Sequence, residues 1–238
     1  MSMDKQVLVD GDPFAYRAAF SCENEILEDA LDKVDEILEE ALNEVMWEVN
    51  PDEYQIFLTG KGNFRYDVAI THEYKGNRKF VEKPAHLQPI RKHMIENWSS
   101  IVSEGEEADD LLGIWATSYG PDATIISIDK DMLQIPCNHY NPTRRTFTTM
   151  TEREGSKFFY TQILTGDKAD NIFGLYGIGP KKAEKLLADA HTDEEMYEEC
   201  LRAYSGDEAR VIENARLLWL RRYEGQLWEP PKCVSDQA

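Results

Sequence analysis

Basic residues are scarce in this sequence. It has 26 Lys and Arg against 45 Asp and Glu, which gives a formal net charge of −19 and a sequence pI of about 4.6. Taken alone, this balance argues against a nucleic-acid partner, because binding the phosphate backbone requires Lys and Arg. It does not exclude one, since charges more than a Debye length apart (~8 Å at physiological salt) are largely screened and a local basic patch outweighs the total.

Cysteine pairs, zinc-like histidine spacing and long apolar runs are also missing. The four cysteines (Cys22, Cys137, Cys200 and Cys233) are scattered without a C-x-x-C pair, which indicates a reduced, cytoplasmic chain without a structural zinc ion. No apolar stretch approaches the ~20 residues that span a bilayer, and the N-terminus is too short and too acidic for a signal peptide. We therefore expect a soluble cytoplasmic protein with no membrane partner.

The sequence does contain enough apolar residues for a core, 42% of the chain, arranged as short strands alternating with helices. Residues 7–9, 54–59 and 124–128 are predicted strands, and 25–49 is a predicted helix because its apolar residues recur at three- and four-residue steps. This alternation predicts an α/β fold with a mostly parallel central sheet flanked by helices. Residues 103–106 are typical of a capping box that opens a further helix.

The sequence also predicts a division into two domains. An α/β domain over residues 1–155 contains an irregular connection at about 60–95, whose length makes it a candidate for substrate handling. A helical region over 156–230 follows, and 231–238 is predicted to be a disordered tail. The helices predicted in the second region are 157–164, 180–189, 193–204 and 207–223.

Carboxylates follow two of the predicted strands. Asp10 ends the first strand and Asp129 follows the third, with Asp131 two residues further on. Because sites in open α/β sheets gather at the carboxyl ends of the strands, we expect these side chains to converge. For any one of them the ordinary interpretation is a turn or a helix cap, and only their coincidence favours a site.

Glu107, Asp109 and Asp110 form a second acidic group at the start of a predicted helix. Glu107 and Asp110 lie one turn apart on one face, while Asp109 points about 100° away from Asp110. Acidic residues are common in a first helical turn because they interact favourably with the helix dipole. Alone, this group therefore indicates a solvated helix start rather than a ligand set.

A glycine-rich run covers residues 165–182. Glycines permit close backbone approach, Pro180 suits the first position of a helix, and the amides of a helix N-terminus beside lysines can bind phosphate. The run predicts a helix–hairpin–helix at about 165–190 with a phosphate site, and the alternative is a plain helix–turn–helix without a ligand. Its candidate residues are Asp167, Asp170, Gly177, Gly179, Lys181 and Lys182.

Aromatic and basic residues alternate within the irregular connection. Tyr74, Lys75 and Arg78 lie in one short segment, with further cations on both sides. Such a pattern suits single-stranded nucleic acid, because rings stack on bases while cations follow phosphates. The alternative is an ordinary solvated loop.

Together these motifs resemble the structure-specific 5′-nuclease family, the phage and bacterial 5′→3′ exonucleases and flap endonucleases. The resemblance covers most of residues 5–190, and the helices beyond about residue 192 carry no recognised motif. It rests on the order and spacing of Asp10-Gly11 with Tyr16, Arg17 and Phe20, then of segments 74–78, 107–110, 129–131 and 165–182.

The resemblance implies a PIN-like nuclease domain that binds two or more divalent ions. Oxygen ligands without His or Cys are typical of Mg²⁺ or Mn²⁺. By the same resemblance Lys75 and Arg78 would stabilise charge on the phosphate, Arg17 and Tyr74 would position DNA, and the hairpin would hold a K⁺ ion. The implied metal ligands are an inner group of Asp10, Glu107, Asp109 and Asp129, an outer group of Asp131, Asp167 and Asp170, and Asp110 between them.

The implied activity is hydrolysis of DNA phosphodiesters at or near 5′ ends by a monomer, as a 5′→3′ exonuclease or flap endonuclease in replication or repair. The expected partner is DNA with 5′ ends, flaps or nicks, and RNA–DNA hybrids stay open. One alternative is a PIN-type ribonuclease, which the predicted hairpin argues against. The other is a non-catalytic DNA-binding relative, which the nearly complete carboxylate set argues against because an idle cluster of like charges is costly.

One position departs from the family pattern. Relatives usually carry an Asp at the end of the second strand, where this sequence has Thr59. Because a hydroxyl supplies no negative charge, we expect the metal ions to be held less tightly than in a full site. Asp67 could fill the gap from the irregular connection, or it could be a solvated loop residue.

Overall fold

The computed structural model describes residues 5–49, 51, 53–79 and 81–232. The predicted helix end at Asn50 and most of the predicted tail lie outside these residues. The strands of the described chain are β1 (Gln6–Asp10), β2 (Glu53–Lys61), β3 (Ile101–Glu104), β4 (Ala123–Ile126), β5 (Asn138–Asn141), β6 (Thr146–Thr149), β7 (Gly166–Asp167) and β8 (Ile172–Phe173). The helices are α1 (Asp12–Ser21), α2 (Leu27–Val49), α3 (Arg65–Val68), α4 (Leu87–Asn97), α5 (Ala108–Tyr119), α6 (Glu152–Thr165), α7 (Pro180–Leu186), α8 (Asp193–Ala203) and α9 (Glu208–Leu218).

The chain divides into two compact units. The first comprises residues 1–63, 81–150 and 222–224, and the second comprises the remaining segments. The predicted domain boundary at 155 therefore differs from these units mainly in segment 64–80, which belongs with the helical region.

A six-stranded sheet forms the centre of the first unit, in the order β3-β2-β1-β4-β5-β6. All neighbouring strands are parallel except β5 and β6, which confirms the predicted mostly parallel sheet. Val7, Leu8 and Val9 of β1 are completely buried, as expected for a central parallel strand covered on both faces.

Helices cover both faces of this sheet. Val7 and Val9 pack with α1, α2 and α4, and alternate strand residues point to the other face. There α5 packs on the sheet, where the ring of Trp115 meets that of Phe57 edge-on at 5.3 Å between centroids. The carboxyl end of the central strand β1 therefore lies within a sheet that helices cover on both faces.

The predicted capping box at 103–106 is wrong. Ser103 lies in β3, where its hydroxyl donates to the carbonyl of Glu106 at 2.6 Å and accepts from the amide of Gly60 at 3.0 Å. Helix α5 starts at Ala108, and its actual capping box is formed by Glu107 and Asp110. The serine that looked like a cap joins two neighbouring strands instead.

The second unit consists of helices α3 and α6–α9 with the short β7–β8 hairpin. A buried cluster that includes Phe159, Tyr197 and Trp228 holds these elements together. Helix α6 begins at Glu152, earlier than predicted, because Thr151 and Glu154 form a capping box. The helical region predicted after residue 156 also contains the short strands β7 and β8, and its last helix, predicted to reach residue 223, ends at Leu218.

The predicted irregular connection is partly structured. It contains α3, a single 3-10 turn at Gly76–Arg78 and the start of α4. The described cysteines, Cys22, Cys137 and Cys200, are buried free thiols, and Cys233 lies outside the described residues. No helix of the described chain combines the length and the apolar character needed to cross a membrane.

Candidate active site

Asp10 lies at the carboxyl end of the central strand β1 and is 3% exposed. Its Oδ2 accepts a hydrogen bond of 2.8 Å from the hydroxyl of Ser127, just beyond the neighbouring strand β4. The same Ser127 oxygen accepts from the amide of Asp129 at 2.9 Å. The Ser127 hydroxyl thus links the carboxylate of Asp10 to the backbone amide of Asp129, the two residues that the sequence placed at this edge.

Burial raises the pKa of Asp10 to about 8. The Ser127 hydrogen bond lowers it, while the charges of Asp12 and Asp129 raise it further. A buried carboxylate with two like charges beside it carries its own charge at a cost. The edge therefore favours either a proton or a cation beside Asp10.

Asp12, the first residue of α1, is an acidic member of this edge that the sequence analysis missed. Its Oδ2 accepts from the amide of Thr59 at 2.9 Å, and its Oδ1 pairs with the guanidinium of Arg91. Arg91 also donates to the carbonyl of Thr59. A carboxylate therefore lies beside the strand position that lacks an acidic residue, balanced by one cation.

Thr59 itself is held on all its polar atoms. Its hydroxyl accepts from the amide of Ala108 at the start of α5 at 3.1 Å. Asp67, the competing candidate for the missing charge, is an exposed residue of α3 in the second unit.

The acidic residues at the start of α5 form hydrogen bonds that cap this helix. The amide of Glu107 donates to Asp110 at 3.2 Å in the reciprocal capping box. Asp110 is completely buried, and Asp109 is half-buried. Glu107 and Asp110 therefore cap the helix and are buried rather than solvated as the ordinary interpretation expected, and a role of this group in binding metal stays a prediction.

Asp129 begins a 3-10 turn, where its Oδ1 accepts from the amide of Asp131 at 2.8 Å. Asp131 is half-buried, and the ammonium of Lys130 lies 3.8 Å from its carboxylate. Among the residues that the structure describes, no three His, Cys, Asp or Glu side chains are grouped closely enough to hold an ion. The eight predicted ligands thus remain a prediction drawn from the sequence.

In the second unit, two segments are joined by many hydrogen bonds. We name residues 73–78 the cation loop and residues 166–173 the acidic hairpin. Asp170 of the hairpin accepts from the Tyr74 hydroxyl and from the Arg78 guanidinium, each at 2.8 Å. The Lys75 ammonium lies 3.7 Å from the same carboxylate. Two predicted catalytic cations and one predicted metal ligand therefore meet in one ion-pair network.

Backbone contacts fix the same two segments. The amide of Lys75 donates to the carbonyl of Asp170 at 2.9 Å, and the Asn77 side chain donates to Lys168. Lys75 has a left-handed backbone with φ of 53°, which is rare for a residue with a side chain. The loop is consequently held in one strained conformation by its partner segment.

Tyr74 does not present its ring as the sequence pattern suggested. It is 2% exposed, and the Lys75 ammonium lies 5.1 Å from the centre of its ring. Because a base can stack only on an exposed ring face, Tyr74 supports the loop and does not offer a stacking surface. The feature that fixes Tyr74 is the hydrogen bond from its hydroxyl to Asp170. This partner is 96 residues away, so the local sequence could not have indicated it.

The other predicted DNA-contacting residues are exposed. Arg17 lies on the surface of α1 in the first unit. In the second unit Gly177 has φ of 74°, which favours glycine, and Gly179 precedes the first residue of α7. Lys181 and Lys182 are exposed on α7, and Lys182 donates to the carbonyl of Gly177 at 2.8 Å.

Asp167 is a buried member of the acidic hairpin. It is 8% exposed, and its Oδ1 accepts from the amide of Ala169 at 2.7 Å. The structure thus brings Asp167 and Asp170 into one two-stranded hairpin, and their role as metal ligands stays a prediction.

The first unit is an α/β domain whose parallel sheet carries acidic side chains at the carboxyl ends of its central strands. The chain belongs to the family described as the 5′-3′ exonuclease, N-terminal resolvase-like domain, whose model matches residues 5–157.

Curated relatives agree with this family. The chain is 32% identical over 155 residues to DNA polymerase I of Rhizobium leguminosarum, covering 56% of this chain and 14% of that protein. It is 32% identical over 133 residues to the flap endonuclease Xni of Shewanella piezotolerans, covering 50% of this chain and 52% of that protein. The chain thus spans about half or less of the length of these relatives.

Solved structures share the fold at low sequence identity. The bacteriophage T5 D15 protein aligns with a TM-score of 0.65 and 17% identity over 90% of this chain and 88% of that one. Flap endonuclease-1 from Methanococcus jannaschii aligns with a TM-score of 0.57 and 12% identity over 94% of this chain and 81% of that one. This likeness confirms the predicted α/β fold.

Proposed function

We propose that the protein is a divalent-metal-dependent 5′ nuclease that hydrolyses DNA phosphodiesters at or near 5′ ends, in replication or repair. The observation that carries the proposal is the buried Asp10 at the carboxyl end of β1, crowded by Asp12 and Asp129, in a chain of the 5′-3′ exonuclease family. Support comes from its relatives, which include a DNA polymerase I and the flap endonuclease Xni. One neighbour, the T5 D15 protein, was co-crystallised with metal ions, and another form of it was solved with DNA.

The carboxylate edge fits a hard cation. Its donors are oxygens of Asp and Glu without His or Cys, which suits Mg²⁺ or Mn²⁺. A cation there would also remove the penalty that burial and repulsion place on Asp10. When bound, two such ions supply charge that activates water and stabilises the attacking and leaving oxygens of the phosphate. Asp10, Glu107, Asp109 and Asp129 would hold the inner ion, with Asp110 beside them, and the outer ligand group of Asp131, Asp167 and Asp170 stays an expectation that the family resemblance implies.

The cation loop carries two basic side chains, Lys75 and Arg78, beside the acidic hairpin of the second unit. Lys75 and Arg78 would stabilise the charge that develops on the phosphate oxygens. Their fixed geometry favours this role, because donors that are already oriented need no rearrangement during the reaction. Asp170 and the backbone of the acidic hairpin supply that orientation.

The exposed lysines of α7 would bind the DNA backbone. A K⁺ ion bound at the helix–hairpin–helix segment, residues 165–190, is a further proposal. We expect the double variant Lys181→Ala, Lys182→Ala to weaken DNA binding with little change in turnover of bound substrate. The slope of log affinity against log salt should become shallower by about two, since each lost phosphate contact removes about one. Binding titrations at several salt concentrations measure this slope.

Lys185→Ala is the matched control, because Lys185 lies on the same short helix at its other end. An unchanged salt slope in the double variant would show that these lysines do not contact phosphate.

Thr59→Asp is expected to shift the Mg²⁺ dependence of cleavage to lower concentrations. Adding a carboxylate increases the ligand charge of the site, and ligand charge sets cation affinity, so the shift should be on the order of tenfold. Thr59→Asn is the neutral control of the same size. Magnesium titrations of cleavage rate measure the shift.

Two further variants separate the explanations of the missing charge. If Asp12 already supplies it, Thr59→Asp leaves the titration unchanged and Asp12→Asn moves it to higher Mg²⁺. If Asp67 supplies it, Asp67→Asn causes the large loss instead. Either result would contradict the expectation that Thr59 leaves a gap.

The proposed function is tested with four substrates of one sequence: a 5′-flap, a nicked duplex, an RNA–DNA hybrid and single-stranded DNA. We expect cleavage in Mg²⁺ to depend on a 5′ end and to leave 5′-phosphate and 3′-hydroxyl products. Comparison of the four rates distinguishes flap cleavage from exonuclease action. Single-stranded RNA of the same sequence is the comparison substrate: cleavage of this RNA alone would favour the ribonuclease alternative, and DNA binding without cleavage would favour the non-catalytic one.

A further inference from the structure

Helix α9 carries three polar side chains on one face, Arg210, Glu213 and Asn214. Glu213 is 6% exposed and Asn214 is completely buried. Removing a charge or an amide from water is costly unless it is hydrogen-bonded. This face lies beyond the segments that carry any recognised motif, so its contacts need their own explanation.

Glu213 holds the segment that leads into the cation loop. Its Oε1 accepts from the amides of Ile70 at 2.8 Å and Thr71 at 2.7 Å, and its Oε2 accepts from the Thr71 hydroxyl. Arg210 completes the group with an ion pair of 2.9 Å. Burial alone would raise the pKa of Glu213, but these hydrogen bonds hold it below its usual range, so the carboxylate stays charged.

Arg210 and Asn214 hold the far end of the acidic hairpin. Both donate to the carbonyl of Phe173, each at 2.9 Å. Phe173 ends β8, three residues after Asp170. Asn214 also donates to the Tyr204 hydroxyl at 2.9 Å, which ties this face to the core of the unit.

The cation loop and the acidic hairpin are therefore fixed twice. Near their tips they are joined through Asp170 to Tyr74 and Arg78. Both are also hydrogen-bonded to α9. The segment that leads into the cation loop is bound at residues 70–71, and the acidic hairpin is bound at its last residue, Phe173. A shift of residues 70–71 or of Phe173 would therefore move Lys75 and Arg78 relative to Asp170.

We propose that Glu213, assisted by Arg210 and Asn214, is a positioning residue that sets the alignment of the cation loop against the acidic hairpin for the nuclease reaction. The inference rests on the proposed function and extends it to α9. Misplacing catalytic groups by a fraction of an ångström slows the chemical step without removing the contacts that bind substrate. A residue that only stabilised the fold would instead lower the melting temperature and leave the turnover of folded enzyme unchanged.

Glu213→Gln tests the proposal, because it keeps the size of the side chain and removes its charge. We expect turnover to fall about tenfold with KM within about twofold of wild type. Amide hydrogen exchange of a peptide covering residues 70 and 71 should accelerate, while exchange in the β1 strand stays unchanged. Glu198→Gln, the same change at an exposed position of α8, is the control and should alter neither quantity.

Thr71 provides a second pair of variants that leave the buried carboxylate in place, so the test stands even if Glu213→Gln does not fold. Thr71→Val removes one donor to Glu213 and should lower turnover in the same direction by a smaller factor. Thr71→Ser keeps the hydroxyl and should restore wild-type turnover. Wild-type turnover in Glu213→Gln and in Thr71→Val would overturn this inference while the nuclease function stands. A wild-type protein that cleaves none of the four substrates would overturn both.

Discussion

Asp129→Asn is expected to abolish cleavage, with turnover at least about a thousandfold below wild type, while the protein stays folded and still binds DNA. The asparagine Oδ1 can still accept the Asp131 amide, so the turn at 129–131 is kept. Only the negative charge is lost, and with it the contribution of Asp129 to binding a cation. Single-turnover cleavage assays and a DNA-binding titration measure the two effects separately.

The same substitution should stabilise the metal-free protein. The charge of Asp129 contributes to the raised pKa of Asp10, so removing it relieves repulsion in the folded state. We expect a higher melting temperature in EDTA and a smaller stabilisation by added Mg²⁺. Asp122→Asn, at the opposite end of β4, is the matched control and should change neither. A variant that retained more than about a tenth of wild-type turnover would show that Asp129 does not bind the catalytic ion.

Lys75→Ala is expected to lower turnover by roughly two to three orders of magnitude with little change in substrate affinity. One oriented cation is lost from the phosphate in the transition state, while the exposed α7 lysines still bind the DNA backbone. Pre-steady-state cleavage at saturating enzyme measures the chemical step, and a binding titration measures the affinity.

Lys79→Ala is the control for this variant, because Lys79 is an exposed cation one residue beyond the cation loop, paired with Glu73 at 2.6 Å. It should keep wild-type turnover. If Lys75→Ala lost affinity and kept its chemical rate, Lys75 would be a binding residue and its proposed role in the reaction would be wrong.

Much of the first unit could be predicted from local patterns. The buried run before Asp10 and the β-rich run of β4 identified two adjacent central strands, because an uninterrupted apolar run is the signature of a covered parallel strand. The position of Asp10 and Asp129 at one edge followed from that. Helix α1 was missed because it begins directly after β1, where Asp12 is typical of a turn.

Residues whose partners are distant in sequence could not be predicted in the same way. Ser127 bridges Asp10 and Asp129 across two strands, and Arg91 meets Asp12 from α4. Ser103 had the right spacing for a cap, yet its hydroxyl joins β2 to the turn after β3. In each case the polar side chain forms a hydrogen bond with a residue distant in sequence, and the local sequence does not show which partner it takes.

The two loops of the second unit illustrate the same limit. The rings and cations at 74–78 predicted a contact for single-stranded nucleic acid, which stays a prediction, and this pattern could not show that Tyr74 is buried against Asp170. Nothing in the local pattern around Glu213 indicated that its partners are Ile70 and Thr71, more than 140 residues earlier.

The most direct test of the account is cleavage of a labelled 5′-flap substrate by metal-stripped protein, with EDTA, and then with Mg²⁺, Mn²⁺ or Zn²⁺ added back. The oxygen-only donor set at the carboxyl ends of β1 and β4 predicts no cleavage in EDTA, full recovery with Mg²⁺ or Mn²⁺, and no need for Zn²⁺. Full cleavage in EDTA would contradict the account, because the carboxylates around Asp10 would then serve the reaction without a cation.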